Sequence, residues 1–178
     1  MAAGRLQGAF LLFLTQDAVP ADTHLIEELY RMIEMPLPEK LAERLRRRAE
    51  EARTGTRESE KGIQKCLHTE KKGSEERMEK SSEPSEGRES VFRDAGKICV
   101  AYACQLPAAD CGELERFTRS FNYGSKECIK TVEDLPKLGI KTFFCSDVCA
   151  LYRRSSYEQL GGFVRRAIFN EDMIFASK

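Results

Sequence analysis

The sequence contains no tryptophan, only two histidines, and no cysteine pair at CxxC spacing. A structural zinc site needs four thiolate or imidazole ligands in a tight constellation, so the composition argues against one. The seven cysteines, Cys66, Cys99, Cys104, Cys111, Cys128, Cys145 and Cys149, are odd in number and scattered. They read as buried or idle thiols in a reducing cytosol, not as a disulfide framework. No apolar run reaches the roughly 18 residues from which a spanning helix is read. Ala9–Leu14 is too short for a signal-peptide core and runs straight into Thr-Gln-Asp, so secretion is not expected. Charge of either sign is not in excess: Lys plus Arg and Asp plus Glu both number 29. That balance gives no general argument for a nucleic-acid partner, and none is expected.

One long stretch also lacks aromatics. Pro36–Ser90 holds 27 charged residues, 14 basic and 13 acidic, and all 15 aromatics of the chain lie outside it. Leu37, Leu41 and Leu45 stand four apart, which predicts a surface helix over Leu37–Arg53. The later part, with TGTRESEKG and EKSSEPSEGRES, cannot bury enough apolar surface to offset ordering its backbone, at about 1–2 kcal/mol per residue. It reads as a flexible insertion. Arg44 and Arg46–Arg48 lie among glutamates and read as a solvated face. The organisation expected is therefore one domain in two pieces, 1–35 and 96–178, interrupted by a charged segment, 36–95.

Outside that segment the apolar residues are patterned. Gly8–Leu14 reads as a central strand that stops at Thr15-Gln16-Asp17-Ala18. Asp22 is a suitable N-cap for a helix whose stripe is Leu25, Ile26, Leu29, Met32 and Ile33, with His24 off the stripe. Ile98, Val100 and Tyr102 alternate as in a short strand, and Asp110–Tyr123 reads as a helix with Leu114, Phe117 and Phe121 on one side. Arg116 and Arg119 on that helix read as surface ion pairs. Val132–Ile140 is a loop or short helix ended by Gly139. Thr142–Tyr152 then makes a mostly apolar run, which fits a strand covered on both faces. Ser155 and Glu158 have capping-box spacing, and Gly161-Gly162 supplies the positive φ that ends a short helix. Asn170-Glu171-Asp172 then opens a last helix. Taken alone, the two acids read as ordinary first-turn residues favoured by the helix dipole.

The motifs YRRSSYEQLGGF, FNEDM and, near the N-terminus, FLTQDAVPAD occur in an order that resembles family 2 glycosyltransferases, particularly their rhamnosyltransferase-like branch. The resemblance covers Ala2–Met35 and Lys97–Ser177. It implies an α/β fold, part of the GT-A nucleotide-diphospho-sugar transferase fold, with a mixed, mainly parallel sheet and flanking helices. It further implies an inverting transfer of a sugar, rhamnose among the candidates, from a nucleotide-diphosphate donor to a polysaccharide or lipid-linked acceptor. The cellular place implied is cytoplasmic or peripheral at the inner face of the membrane.

The resemblance also distributes roles. Asp172 would be the general base, with Glu171 and Asn170 contacting the acceptor. Asp17 would stand at the metal position and hold Mg2+ or Mn2+ against the diphosphate, with Gln16 replacing a second acid. Arg153 and Arg154 would contact substrate or pair with Glu158 and Glu171. Elements that recognise the nucleoside in the family have no counterpart here, so the resemblance implies an incomplete copy, with another chain as a candidate source of the missing half. The alternative expectation is an inactive fragment or interaction protein that retains the acceptor half.

Overall fold

A computed structural model of the chain describes residues 7–16, 18–52, 94–124, 126–167 and 169–178. It divides into two units, one comprising Met1–Glu34 with Cys99–Lys178 and the other Met35–Ile98.

The first unit is built on three strands, β1 (Phe10–Leu14), β2 (Val100–Tyr102) and β3 (Cys149–Arg153), in the order β1-β3-β2. Phe10 lies opposite Arg153 and Leu14 opposite Cys149, while Val100 faces Tyr152 and Tyr102 faces Ala150. Both pairings are antiparallel, where the sequence reading expects a mainly parallel sheet, and β1 has β3 on only one side among the described residues. A continuous apolar run signals burial on both faces but carries no information on strand direction or order. Burial itself falls where the run predicts it: Cys149, Ala150, Leu151 and Tyr152 are all buried.

The strand is shorter than the apolar run suggests. Thr142 and Phe143 belong to a 3-10 turn, Gly139–Phe143, that continues a helical passage through the 3-10 turn Val132–Asp134 and the four-residue helix Leu135–Leu138. Thr131 and Asp134 form a reciprocal capping box that starts this passage. The Lys130 ammonium then donates to the carbonyls of Lys141 and Phe144, giving these acceptors a partner outside any strand ladder.

The core gathers around Tyr152, which is fully buried. Its ring lies 5.3–5.6 Å from those of Phe13, Tyr157, Phe163 and Phe175, mostly edge to face. Helix α1 (Leu25–Glu34) buries Leu29 and Ile33 of its predicted stripe and leaves Ile26 exposed. The Asp22 carboxylate accepts from the His24 amide at 2.7 Å, just ahead of the first turn.

Helix α2 spans 39–52 in the second unit, which buries Leu37 and Ala42. Gly96 has φ +82 and its position would bring a Cβ to 3.0 Å from the Ala42 carbonyl. A cavity of about 680 Å³ in this unit is lined by Glu43, Arg44, Arg46, Arg47, Glu50 and Ala95. Arg46 and Arg47 have Glu39 and Glu51 at 3.7 and 3.6 Å. The expected flexible part of the insertion, 54–90, lies outside the described residues.

Helix α3 (Glu113–Asn122) forms where its pattern places it, yet buries nothing. Leu114, Phe117 and Phe121 lie on one side and are 79%, 64% and 57% exposed. No helix among the described residues is long and apolar enough to cross a membrane.

After β3 the chain turns directly into α4 (Arg154–Gln159), whose N-cap residue is the strand's own Arg153. Ser155 therefore lies inside the helix, and the expected Ser155–Glu158 capping box is replaced by Arg154 Nε donating to Glu158 at 2.7 Å. Gly161 and Gly162 adopt φ +77 and +64, as the motif requires. Gly162 is constrained twice, since a Cβ there would meet the Tyr157 ring at 3.1 Å. Asn170, left-handed at φ 61, opens α5 (Glu171–Ala176), and Phe175 anchors that helix in the aromatic core.

Candidate functional site

The antiparallel pairing brings three chain ends together. β1 and β2 finish where β3 begins: the Thr15 amide donates to the Val148 carbonyl at 3.0 Å, and the Ala103 amide to the Cys149 carbonyl at 2.9 Å. Ligands of α/β sheets gather outside the carboxyl ends of strands, so this is the end to inspect.

Three carboxylates stand there. Asp147 comes from the turn before β3, and Glu171 and Asp172 from the first turn of α5. Phe175 lies one helical turn after Asp172 and packs 5.5 Å from the Tyr152 ring, which anchors α5 against β3. Asp172 is half-buried, and burial raises its proton affinity above the ordinary aspartate value. Asp147 and Glu171 add to the rise, while a 2.7 Å hydrogen bond from the Met173 amide to Asp172 Oδ1 opposes it. Asp147 is raised by burial first and then by Glu171.

Around these acids lie groups that the sequence reading did not single out. Cys145 is buried, with Sγ 3.6 Å from the Tyr152 hydroxyl, and burial pushes its thiol up to about 11. Gln105 Nε2 donates to the buried Ser146 Oγ at 2.7 Å. Lys130 lies 5.1 and 5.3 Å from the Tyr102 and Phe144 ring centres, and burial lowers its proton affinity. Ser146-Asp147 was hidden in the sequence because it falls inside a run that reads as continuous strand. A polar pair interrupting such a run is the one signal that could have marked a turn.

Of the six residues singled out beforehand, the structure brings Glu171 and Asp172 together and places Asn170 beside them as the exposed N-cap of α5. Asp17 lies outside the described residues. Arg153 and Arg154 are at the other end of β3, a strand length of roughly 13 Å away from its start. Arg153 Nη2 donates to the Ile33 carbonyl at 3.0 Å and to Glu34 at 2.8 Å, and its guanidinium lies 5.3 Å from the Phe10 ring centre. It fastens the end of α1 to the sheet. Of the expected pairings, that with Glu158 is present, from Arg154 at 2.7 Å, and Arg153 pairs with Glu34 at 2.8 Å. Among the described residues no three His, Cys, Asp or Glu side chains are grouped to hold a metal.

Comparison with known proteins finds relatives for part of the chain. It is 47% identical over 81 residues to the O-antigen chain rhamnosyltransferase RfbN of Salmonella typhimurium, covering 44% of this chain and 26% of that protein. It is 45% identical over 91 residues to the O-antigen chain rhamnosyltransferase WbaN of Salmonella anatum, covering 50% of this chain and 28% of that one. The match therefore spans about a quarter of each relative's length. No protein-family profile matches the chain, and no solved structure matches it. Over that partial region the chain is rhamnosyltransferase-like.

Proposed function

We propose that the chain is glycosyltransferase machinery of the rhamnosyltransferase kind, moving a sugar from a nucleotide-diphosphate donor to a glycan or lipid-linked acceptor with inversion. The observation that carries this reading is the 45–47% identity to two O-antigen chain rhamnosyltransferases. The acid end of β3 supplies the chemistry. Asp172 removes the proton from the acceptor hydroxyl as that oxygen attacks the anomeric carbon. A half-buried carboxylate with raised proton affinity suits a base working near neutral pH. Glu171 and Asn170 flank it and orient the acceptor. The fold in this reading is GT-A, with the described trio as the antiparallel part of a mixed sheet.

A divalent cation fits this reading at Asp17 only in company with the donor's own phosphate oxygens, since the described residues offer no ligand group of three. When bound there, such an ion would neutralise charge on the departing nucleoside diphosphate. Thr15, two residues ahead of Asp17, has a buried hydroxyl with no hydrogen-bond partner, which is consistent with a ligand at that end. A place at the inner face of the membrane follows from a lipid-linked acceptor.

The test is transfer of labelled rhamnose from its nucleotide donor to lipid-linked glycan by the full chain and its Asp172→Asn variant. The reading expects a loss of about 100-fold or more; undiminished transfer contradicts it. A second reading, a non-catalytic interaction protein, is favoured by the bare apolar side of α3. Transfer by the wild-type chain rules that reading out.

A further inference from the structure

The acid end of β3 holds a polar contact that the proposed base does not use. Gln105 Nε2 donates to Ser146 Oγ at 2.7 Å, and Ser146 is buried. The bond joins the loop after β2 to the residue before Asp147. Backbone pairing places it at the strand ends. The Ala103 amide reaches the Cys149 carbonyl from one side, and the Thr15 amide reaches the Val148 carbonyl from the other. With Tyr102 opposite Ala150, the antiparallel count brings Gln105 level with Asp147.

Ser146 is the only hydrogen-bond partner of the Gln105 side chain among the described residues. The residue is half-buried, and its carbonyl oxygen is not among the buried atoms left without a partner, so that oxygen meets solvent. A primary amide carries two donor hydrogens and one acceptor oxygen. One donor is used on Ser146, which leaves one N–H and the oxygen free on a group that is already held in place. A donor beside an acceptor is what two hydroxyls on adjacent carbons of a pyranose match, one accepting and the other donating. A mere tie between two loops needs neither free group.

We propose that Gln105 is a specificity-determining residue of the site, its free N–H and Oε1 bonding a pair of adjacent pyranose hydroxyls. This rests on the glycosyltransferase reading above. Ser146 acts through Gln105 by fixing the amide before the sugar arrives, so less freedom is lost on binding. A site that bonds a sugar hydroxyl in this way discriminates against a sugar lacking it, because its polar groups are then left unpaired.

The test is steady-state transfer by the full chain and its Gln105→Met variant, varying nucleotide-activated rhamnose and lipid-linked glycan in turn, with melting temperatures of both proteins. Methionine keeps the length of the side chain and removes both free polar groups. The expected result is a KM raised about tenfold for one of the two substrates. The other KM and kcat should stay within about threefold, and the melting temperature within a few degrees. The substrate whose KM moves is the one that carries the bonded hydroxyls, donor sugar or acceptor glycan. Unchanged KM values, a fall confined to kcat, or equal rises in both KM values overturn the proposal and leave the transferase reading standing. A collapse in melting temperature makes the Gln105–Ser146 bond a loop tie and also overturns it. If the wild-type chain transfers nothing, the transferase reading fails and the proposal falls with it.

Discussion

The two ends of β3 carry similar amounts of charge and use it in opposite ways. At its C-terminal end Arg153 and Arg154 are each matched, to Glu34 at 2.8 Å and Glu158 at 2.7 Å. At its N-terminal end burial raises the proton affinities of Asp147 and Asp172, Glu171 adds to both rises, and Asp147 adds to that of Asp172. Matched charge is what a fold uses to fix position. Unmatched, half-buried charge is destabilising, and folds tolerate it chiefly where a ligand or a proton completes it. One end of β3 is thus held by matched charge, and the other holds half-buried carboxylates.

The largest expected effect breaks both ends at once. Phe175 is 3% exposed and packs on Tyr152, Tyr157 and Phe163. Phe175→Ala should cost about 3–5 kcal/mol, seen as a shifted urea midpoint, and should release α5 so that Asp172 returns toward an ordinary carboxylate. A smaller effect isolates the constructional end. Arg153→Ala removes two hydrogen bonds from a side chain only 13% exposed, with a partner that is 43% exposed. After allowing for screening at Glu34, a loss of about 1–2 kcal/mol is expected. Because the ends are separate, the same variant should leave the titration of Asp172 where it was.

The sequence made some of this legible and not the rest, for identifiable reasons. Helix α1 is readable because its stripe of Leu25, Ile26, Leu29, Met32 and Ile33 repeats at helical spacing, and Leu29 and Ile33 of these are buried. Gly161-Gly162 are readable because positive φ has few residue solutions. The start of β3 was not readable. Phe143, Cys145 and Val148 satisfy a strand pattern, but Lys130 captures the Lys141 and Phe144 carbonyls from eleven and fourteen residues away, and no local pattern reports that. The same applies to the site. Glu171-Asp172 is a local motif and could be named in advance, whereas the Gln105–Ser146 contact joins residues far apart in sequence. For Arg154 the sequence offered pairing with Glu158, four residues on, and that local pair forms at 2.7 Å. On α3 the stripe Leu114, Phe117 and Phe121 was legible as a pattern, and its exposure was not.

The central claim, that the N-terminal end of β3 holds frustrated carboxylates, is tested most directly by 13C NMR titration of the Asp172 carboxyl in the wild-type chain and in Asp147→Asn. Both aspartates are raised in the folded state, so the stability they contribute is present at low pH and is lost as pH rises through their folded values. Removing one charge should therefore stabilise the protein above that window, by a few tenths of a kcal/mol for groups this exposed, and leave it unchanged below. The account predicts that Asp172 titrates above the ordinary value of about 3.9 and moves down in Asp147→Asn. A wild-type Asp172 that titrates at or below that value, or one that does not respond to the loss of Asp147, contradicts it.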